Sequence, residues 1–486
     1  MMSDFFESEE EELEDFETVE LISRYENMVN NQHSTYLSED DYVNLFLHYT
    51  HFHDFLFVSE FINIEMAGMV IRDSLAQYPD SDLLQLFAVY YKYINENLTT
   101  EKTLKLLQRI HIQGYEKDMQ TYYLANIYAK IGAVNESIAL YKKLLEEMQC
   151  DEERVCVYSE LLFLFDKQED LPQMLEYYDK VAEINPILKN ILFSDLYVHF
   201  LYKPDLGVLF FELYVQKYSF SEKGWHCLGK LYSVLLLFEK AVEALENAVA
   251  LSNDAVHLIA LGEVYGAWGD KNKSLEYFHE ALSANPKRVD CYLDIADLYY
   301  ELRQSEQALH YYALALDAFP NDTEILIGTA VTLASLEKYE EAISYLNRIR
   351  KTNFVPVEAL LLMSDYLVEL ERNEEAITLF EQMTELYPLV ADVWLSYSNY
   401  YISYENYTQA YSILRRGMFT MKDNVQLMYR MANYYFLEGK NDRAASFLET
   451  AYLIDPKYLD MFLEYDEEIA NNPLIMDIVN GLKSNK

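Results

Sequence analysis

Residues 286–320 read PKRVDCYLDIADLYYELRQSEQALHYYALALDAFP, and the spacing of their large, small and proline residues decides the fold. Tyr292, Ile295, Ala296 and Tyr299 fall at helical spacing, and Ala308, Tyr312 and Ala315 do so again before Pro320. The prolines recur as well: Pro286, Pro320, Pro388 and Pro456 stand 34, 68 and 68 residues apart. A 34-residue period marks a helix-turn-helix unit too small to bury its own apolar face, so such units must stack. Each proline lacks an N–H and restricts the residue before it, which closes the second helix of the unit.

The pattern extends in both directions. Trp225, Leu228, Gly229 and Tyr232 precede Ala241, Leu245 and Ala248; Leu258, Leu261, Gly262 and Tyr265 precede Ser274, Phe278 and Ala281. Downstream come Leu360, Met363, Ser364, Leu367, Ala376 and Phe380, then Trp394, Tyr397, Tyr401, Ala410 and Leu414, then Met431, Ala432, Tyr435, Ala444 and Ala451. Upstream, Leu124, Ala125, Tyr128 and Tyr141 keep the phase, as do Tyr158, Leu161, Phe165, Tyr178 and Pro186. Small residues alternating with large ones let neighbouring helices approach closely.

These residues resemble the tetratricopeptide repeat, at roughly eleven repeats over most of the chain. The resemblance implies an all-α, right-handed superhelical solenoid of stacked antiparallel helix pairs. It also implies that the first helix of each pair lines a concave groove holding an extended peptide or a partner helix. The organisation expected is an acidic leader over 1–38, divergent repeats over 39–221, well-matched repeats over 222–456 and capping helices over 457–486. Tyr458 to Ala470 and Leu474 to Leu482 are the helices expected to cover the last repeat.

Composition agrees with a long helical array: 51% hydrophobic residues with 13 Gly and 10 Pro in 486. The 44 tyrosines suit helix pairs that bury a ring and keep the hydroxyl near water. No run of 18 apolar residues occurs, so no membrane span is expected. The first twenty residues carry ten acids and no base, the reverse of a secretory signal's basic start. Within that leader Phe5 and Phe6 resemble a short docking motif, and Leu13, Phe16, Val19 and Leu21 could form an apolar side; a solubilising tail is the simpler reading. Cys150, Cys156, Cys227 and Cys291 lack metal-ligand spacing and are expected to be reduced, buried thiols of a cytoplasmic protein.

A net charge of −43, of which −33 remains once the ten leader acids are set aside, repels phosphate backbones and anionic lipid surfaces. Basic peptides or basic protein faces are the expected partners; nucleic acid and membrane are not. On the helix that follows Val289, Asp290, Asp294, Asp297 and Glu301 recur at four, three and four residues, opposite the packing residues. The stripe is roughly 16 Å long, enough to track about five extended residues. Glu358, Asp365 and Glu369 hold equivalent places two repeats on, and Glu263 matches Asp297 one repeat earlier. Leu293, Tyr300 and Leu361 are the candidate apolar anchors. Asn126, Asn399 and Asn433 occupy the place of Asp297 in their own repeats, where an amide could bond a ligand's backbone. The plainer account of any such stripe is a solvated helix face, since acids make up 81 of the 486 residues.

Family members that clamp a carboxylate use lysines beside such asparagines. The neighbours here are Leu395, Tyr429 and Arg430, so that activity does not carry over. His48, His51 and His53 are close in sequence, but no cysteine completes a ligand set. There is no phosphate-binding glycine loop, nucleophile elbow or paired-histidine motif, so no catalytic residue, metal or cofactor is expected. Two functions remain: an adaptor that binds a segment in its groove, and a scaffold subunit that uses its convex face and edges.

Overall fold

The computed structural model describes residues 19–29, 36–50, 52, 63–110, 117–285, 290–350, 355–464 and 473–484. All regular structure among them is helical. The chain forms two compact units, divided between Ser252 and Asn253. The first holds six helix pairs: Glu39–Thr50 with Ile64–Gln77, Asp82–Glu96 with Thr100–Leu107, Lys117–Lys130 with Val134–Glu147, Asp151–Lys167 with Leu171–Ile184, Pro186–Leu201 with Pro204–Lys217, and Glu222–Val234 with Phe238–Leu251. The second holds six more: Ala255–Trp268 with Lys271–Ala284, Asp290–Glu301 with Ser305–Ala318, Thr323–Ala334 with Tyr339–Ile349, Val357–Glu369 with Asn373–Leu386, Ala391–Ser403 with Tyr407–Thr420, and Val425–Leu437 with Asn441–Ile454. Twelve pairs are thus described, one more than the sequence count; Pro286, one of the diagnostic prolines, lies outside the described residues.

The 34-residue period has a backbone cause in the second unit. Gly269, Arg303, Glu337, Glu371, Glu405 and Gly439 have φ of 95°, 61°, 61°, 56°, 56° and 73°, one left-handed residue every 34 positions. Each lies in the turn between the two helices of a pair. The following N–H then donates to the carbonyl five residues back: Gln304 to Tyr299 at 2.8 Å, Lys338 to Leu333 at 3.0 Å, Arg372 to Leu367 at 2.8 Å and Asn406 to Tyr401 at 2.9 Å. This left-handed cap satisfies orphan carbonyls at the helix end. Polar residues start many of the helices: Asp254, Asp270, Asp322, Asn406 and Asn424 each accept from a backbone N–H of the first turn.

The cores form between helices, where bulk meets absence of bulk. A Cβ added at Gly229 would stand 2.6 Å from Leu245 Cγ, so only glycine lets those two helices close. Trp394 and Trp225, the large residues of their units, also donate an indole N–H to a carbonyl six residues back, Pro388 at 3.0 Å and Ser219 at 2.9 Å. At the end of the second unit, Leu459, Phe462, Ile475 and Val479 are buried against Met428, Tyr429, Leu448 and Tyr452. In the first unit Tyr25 is fully buried and its hydroxyl donates to Asp73 at 3.0 Å, so the 19–29 helix is part of that unit's core. The expected docking residues of the leader up to residue 18 lie outside the described residues.

The cysteine expectation needs correction. Cys227 and Cys291 are buried, but Cys150 and Cys156 are exposed. Cys150 is the N-cap of its helix, outside the packed turns, and Cys156 lies off the face that buries Tyr158, Leu161 and Phe165. Burial pushes the Cys227 thiol up to about 12.

Left-handed backbone disfavours any residue with a Cβ by about 1–2 kcal/mol. Glu337→Gly is therefore expected to stabilise the chain by about 1 kcal/mol, and Gly269→Ala to destabilise it by a similar amount. No atom stands within 4 Å of a Cβ built at Gly269, so the latter effect is conformational alone. Urea unfolding of both variants checks this; shifts of the same sign would mean that the turns do not set the register.

Candidate protein-binding face

In the second unit the first helices of successive pairs run side by side from Asp290–Glu301 to Val425–Leu437. Tyr292, Ile295, Ala296 and Tyr299 pack inward, as their spacing requires. Asp297 is exposed, yet its carboxylate accepts a hydrogen bond from the hydroxyl of fully buried Tyr312 on the second helix of its pair. Burial still raises its pKa, with Glu324 and Glu301 adding to the rise against the Tyr312 bond. Glu301 is engaged too, accepting from Lys271 Nζ at 2.9 Å. Asp294 is half-buried, and the side chain of Asp290 lies outside the described residues. Asp297 and Glu301 at least are thus already used inside the unit.

Asp365 is different. It sits in the middle of Val357–Glu369, has no ion pair or hydrogen bond among the described residues, and water reaches it. Protein surrounds its other sides, and that low-dielectric neighbourhood, with Glu369 behind it, pushes its carboxyl up to about 6. Glu369 is exposed one turn further on, and Leu361 is half-buried against the core one turn before. Burial raises the Tyr366 phenol, and Asp365 and Tyr300 add to the rise. Leu293 and Tyr300 are half-buried apolar surface beside Asp297.

The remaining predicted residues divide. Glu358 is exposed in the first turn of its helix, and so are Glu324 and Asp392 in theirs, 34 residues before and after. A carboxylate there is favoured by the helix dipole by about 0.3–1 kcal/mol, which accounts for this row without a ligand. Sequence reasoning missed Glu324 although the same 34-residue count that links Asp290 and Glu358 passes through it. Glu263 is exposed on Ala255–Trp268, and Asn399 is exposed on Ala391–Ser403. Asn433, however, is 1% exposed and accepts from Arg430 at 3.3 Å, so its amide faces the interior.

Asn126 belongs to the first unit and is 2% exposed, its amide donating to the Tyr122 carbonyl at 3.5 Å. Sequence reasoning missed Glu160, which accepts from the Tyr122 hydroxyl at 3.1 Å while its second oxygen is buried with no hydrogen bond. Burial lifts this carboxyl to about 7 against the pull of Tyr122, Lys130 and Lys167. No group of three metal-ligating side chains occurs among the described residues; His51 and His53 lie outside them, and exposed His48 rests against Tyr49. No helix among the described residues is long and apolar enough to cross a membrane.

Stacked helix pairs with side-by-side first helices define a class of helical-repeat proteins whose surfaces hold other proteins. Models of the tetratricopeptide repeat match residues 258–288, 293–356 and 425–458. The chain carries tetratricopeptide repeats over those residues. Among curated proteins it is similar to the BBSome complex member BBS4 of Mus musculus, 25% identical over 168 residues, which is 34% of this chain and 31% of that one. The Bos taurus protein of the same name is 30% identical over 94 residues, 19% of this chain and 18% of that one. The chain therefore spans less than a third of the length of these relatives. Among solved structures, YrrB, described as a TPR protein with an unusual peptide-binding site, is 20% identical over 38% of this chain and 95% of its own, with a TM-score of 0.33. PilW, a type IV pilus biogenesis factor, is 16% identical over 49% and 96%, with a TM-score of 0.34. Likeness at that level carries no argument about function.

An acid whose pKa rises on folding binds more protons folded than unfolded between the two values, so stability falls as pH increases through that window. For Asp365 the window runs from about 4 in the unfolded chain to about 6 in the folded one. Asp365→Asn is expected to raise the melting temperature at pH values well above this window and to leave it unchanged well below. Thermal melts at several pH values test it, and a pH-independent effect would mean that packing rather than charge sets the penalty.

Proposed function

We propose that this protein is a non-enzymatic adaptor whose second unit binds a basic peptide segment or partner helix along its first helices. The observation that carries the reading is Asp365: a mid-helix carboxylate with a raised pKa and no cationic partner among the described residues, beside Glu369 and Leu361. Folding gains nothing from such a group, whereas a Lys or Arg from a partner would stabilise its ionised form. Asp294, Asp297 and Glu301 extend the acidic track, and Leu293, Tyr300 and Leu361 supply apolar contact. Each exposed ion pair contributes only about 0.2–1 kcal/mol, so several must form together. A cytoplasmic location fits this reading.

A second reading, a subunit of a larger assembly, rests on a different surface. Leu386, Leu389, Phe419 and Leu453 are 69%, 72%, 82% and 81% exposed at or just beyond the ends of three successive second helices. Exposed apolar patches of this kind mark protein contacts. Similarity to a protein named as a member of a complex supports the same reading.

The two readings separate in solution. Fluorescence anisotropy with a labelled peptide of lysines spaced by leucines is expected to report binding to the full chain that weakens as salt rises. Asp365→Asn combined with Glu369→Gln should weaken it by roughly threefold to tenfold. At pH near the Asp365 value, binding should also release protons, because the incoming cation drives the carboxyl to ionise. Binding that is insensitive to salt and to both substitutions would sink the groove reading and leave the apolar edge.

A further inference from the structure

The Pro186–Leu201 helix reads PILKNILFSDLYVHFL and is apolar almost all the way round. Leu192, Phe193, Leu196 and Phe200 bury one side of it within the first unit. His199 and the exposed Lys203 that follows the helix both bond Asp166, each at 3.0 Å. The opposite side is open. Ile187, Ile191, Val198 and Tyr202 are 67%, 50%, 52% and 85% exposed, with Leu201 beside them. A helix that is hydrophobic all round is ordinarily covered all round.

The order of residues along the open stripe says what covers it. Ile187, Ile191, Ser194, Asp195, Val198 and Tyr202 are separated by 4, 3, 1, 3 and 4 residues, a spacing that reads the same in both directions. Turned end over end about a point between Ser194 and Asp195, the stripe meets a copy of itself. Ile187 then faces Tyr202 of the second copy, Ile191 faces Val198, and Ser194 faces Asp195, each contact occurring twice. That reciprocity is the condition a two-fold interface must satisfy. The small Ser194 at the centre allows close approach of the two helices. The half-buried Asp195 carboxylate forms no hydrogen bond among the described residues, and the opposing Ser194 hydroxyl, which donates to the Asn190 carbonyl at 3.2 Å in the single chain, would turn to supply one. The other charges nearby are already occupied: Lys189 lies over the Tyr218 ring at 5.7 Å, and Lys203 is held by Asp166. Ile187, Ile191, Val198 and Tyr202 expose roughly 500 Å² per chain, so pairing removes at most roughly 1,000 Å², the size a specific interface must reach.

We infer that two copies of this chain associate through the Pro186–Leu201 helix, packed antiparallel against its own copy across a two-fold axis. The contact is independent of the acidic face of the second unit and opposite to it in salt response. Two chains of charge −43 repel, and salt screens that repulsion while leaving apolar contact intact. Dimerisation therefore tightens with salt where peptide binding weakens.

Sedimentation of the full chain over a wide concentration range tests this. The expected result is a reversible monomer–dimer equilibrium. Ile191→Glu with Val198→Glu should raise the dimer dissociation constant by at least about a hundredfold. Both positions face solvent in the monomer, and circular dichroism melts establish that the fold persists. Asp195→Asn gives the converse readout, since it removes the two half-buried carboxylates that meet near the axis while keeping an acceptor for the opposing serine, and it should tighten the dimer by several-fold. A chain that is monomeric at every concentration and salt overturns the inference. So does a dimer indifferent to both changes, or an open-ended series of oligomers.

Discussion

A helix pair of about 34 residues has no interior of its own, and everything else in this protein follows from that limit. Each pair hides its apolar face only against the next pair, so the spacing of large and small residues must repeat with the pair. The turn must return the chain to the same register every time. Left-handed residues at Gly269, Arg303, Glu337, Glu371, Glu405 and Gly439 perform that task in the second unit. Four of the six are not glycine, so the register is held against a local conformational cost by the packing on either side.

The second constraint is charge. A chain this acidic must place its carboxylates where they do not oppose stacking, and its tyrosines provide one solution. Tyr25, Tyr49, Tyr232, Tyr312 and Tyr397 are buried and Tyr122 is half-buried; their hydroxyls donate to Asp73, Glu26, Glu212, Asp297, Glu381 and Glu160 respectively. Such bonds convert part of the acidic surface into structure, because an ionised acceptor strengthens the bond. Asp166 is held below the ordinary carboxylate range by the same logic: burial alone would raise it, and the bonds from His199 and Lys203 outweigh burial. Against that background an acid without a partner, such as Asp365, stands out as one the fold does not need.

The candidate face was partly legible. The heptad-like spacing of Asp294, Asp297 and Glu301 put them on one helix, and the 34-residue period put Asp365 and Glu369 in matching places. What spacing could not register was competition for those groups from within the chain. Asp297 is taken by Tyr312 and Glu301 by Lys271, contacts made across helices whose relative rotation no local pattern encodes. The asparagines divide for the same reason: three equivalent positions yield one exposed amide, Asn399, and two buried ones, Asn126 and Asn433.

The sequence by itself determined the helix pair, its period, its punctuation and its large-and-small packing code, because these depend on residues a few positions apart or one repeat apart. Tertiary structure decided which polar groups are spent inside the protein and which remain for a partner. It decided that Cys150 and Cys156 are exposed, that burial raises the Glu160 carboxyl, and that one side of the Pro186–Leu201 helix is left uncovered. Those outcomes rest on burial and on the chemistry of neighbours brought together by stacking, and both act through space.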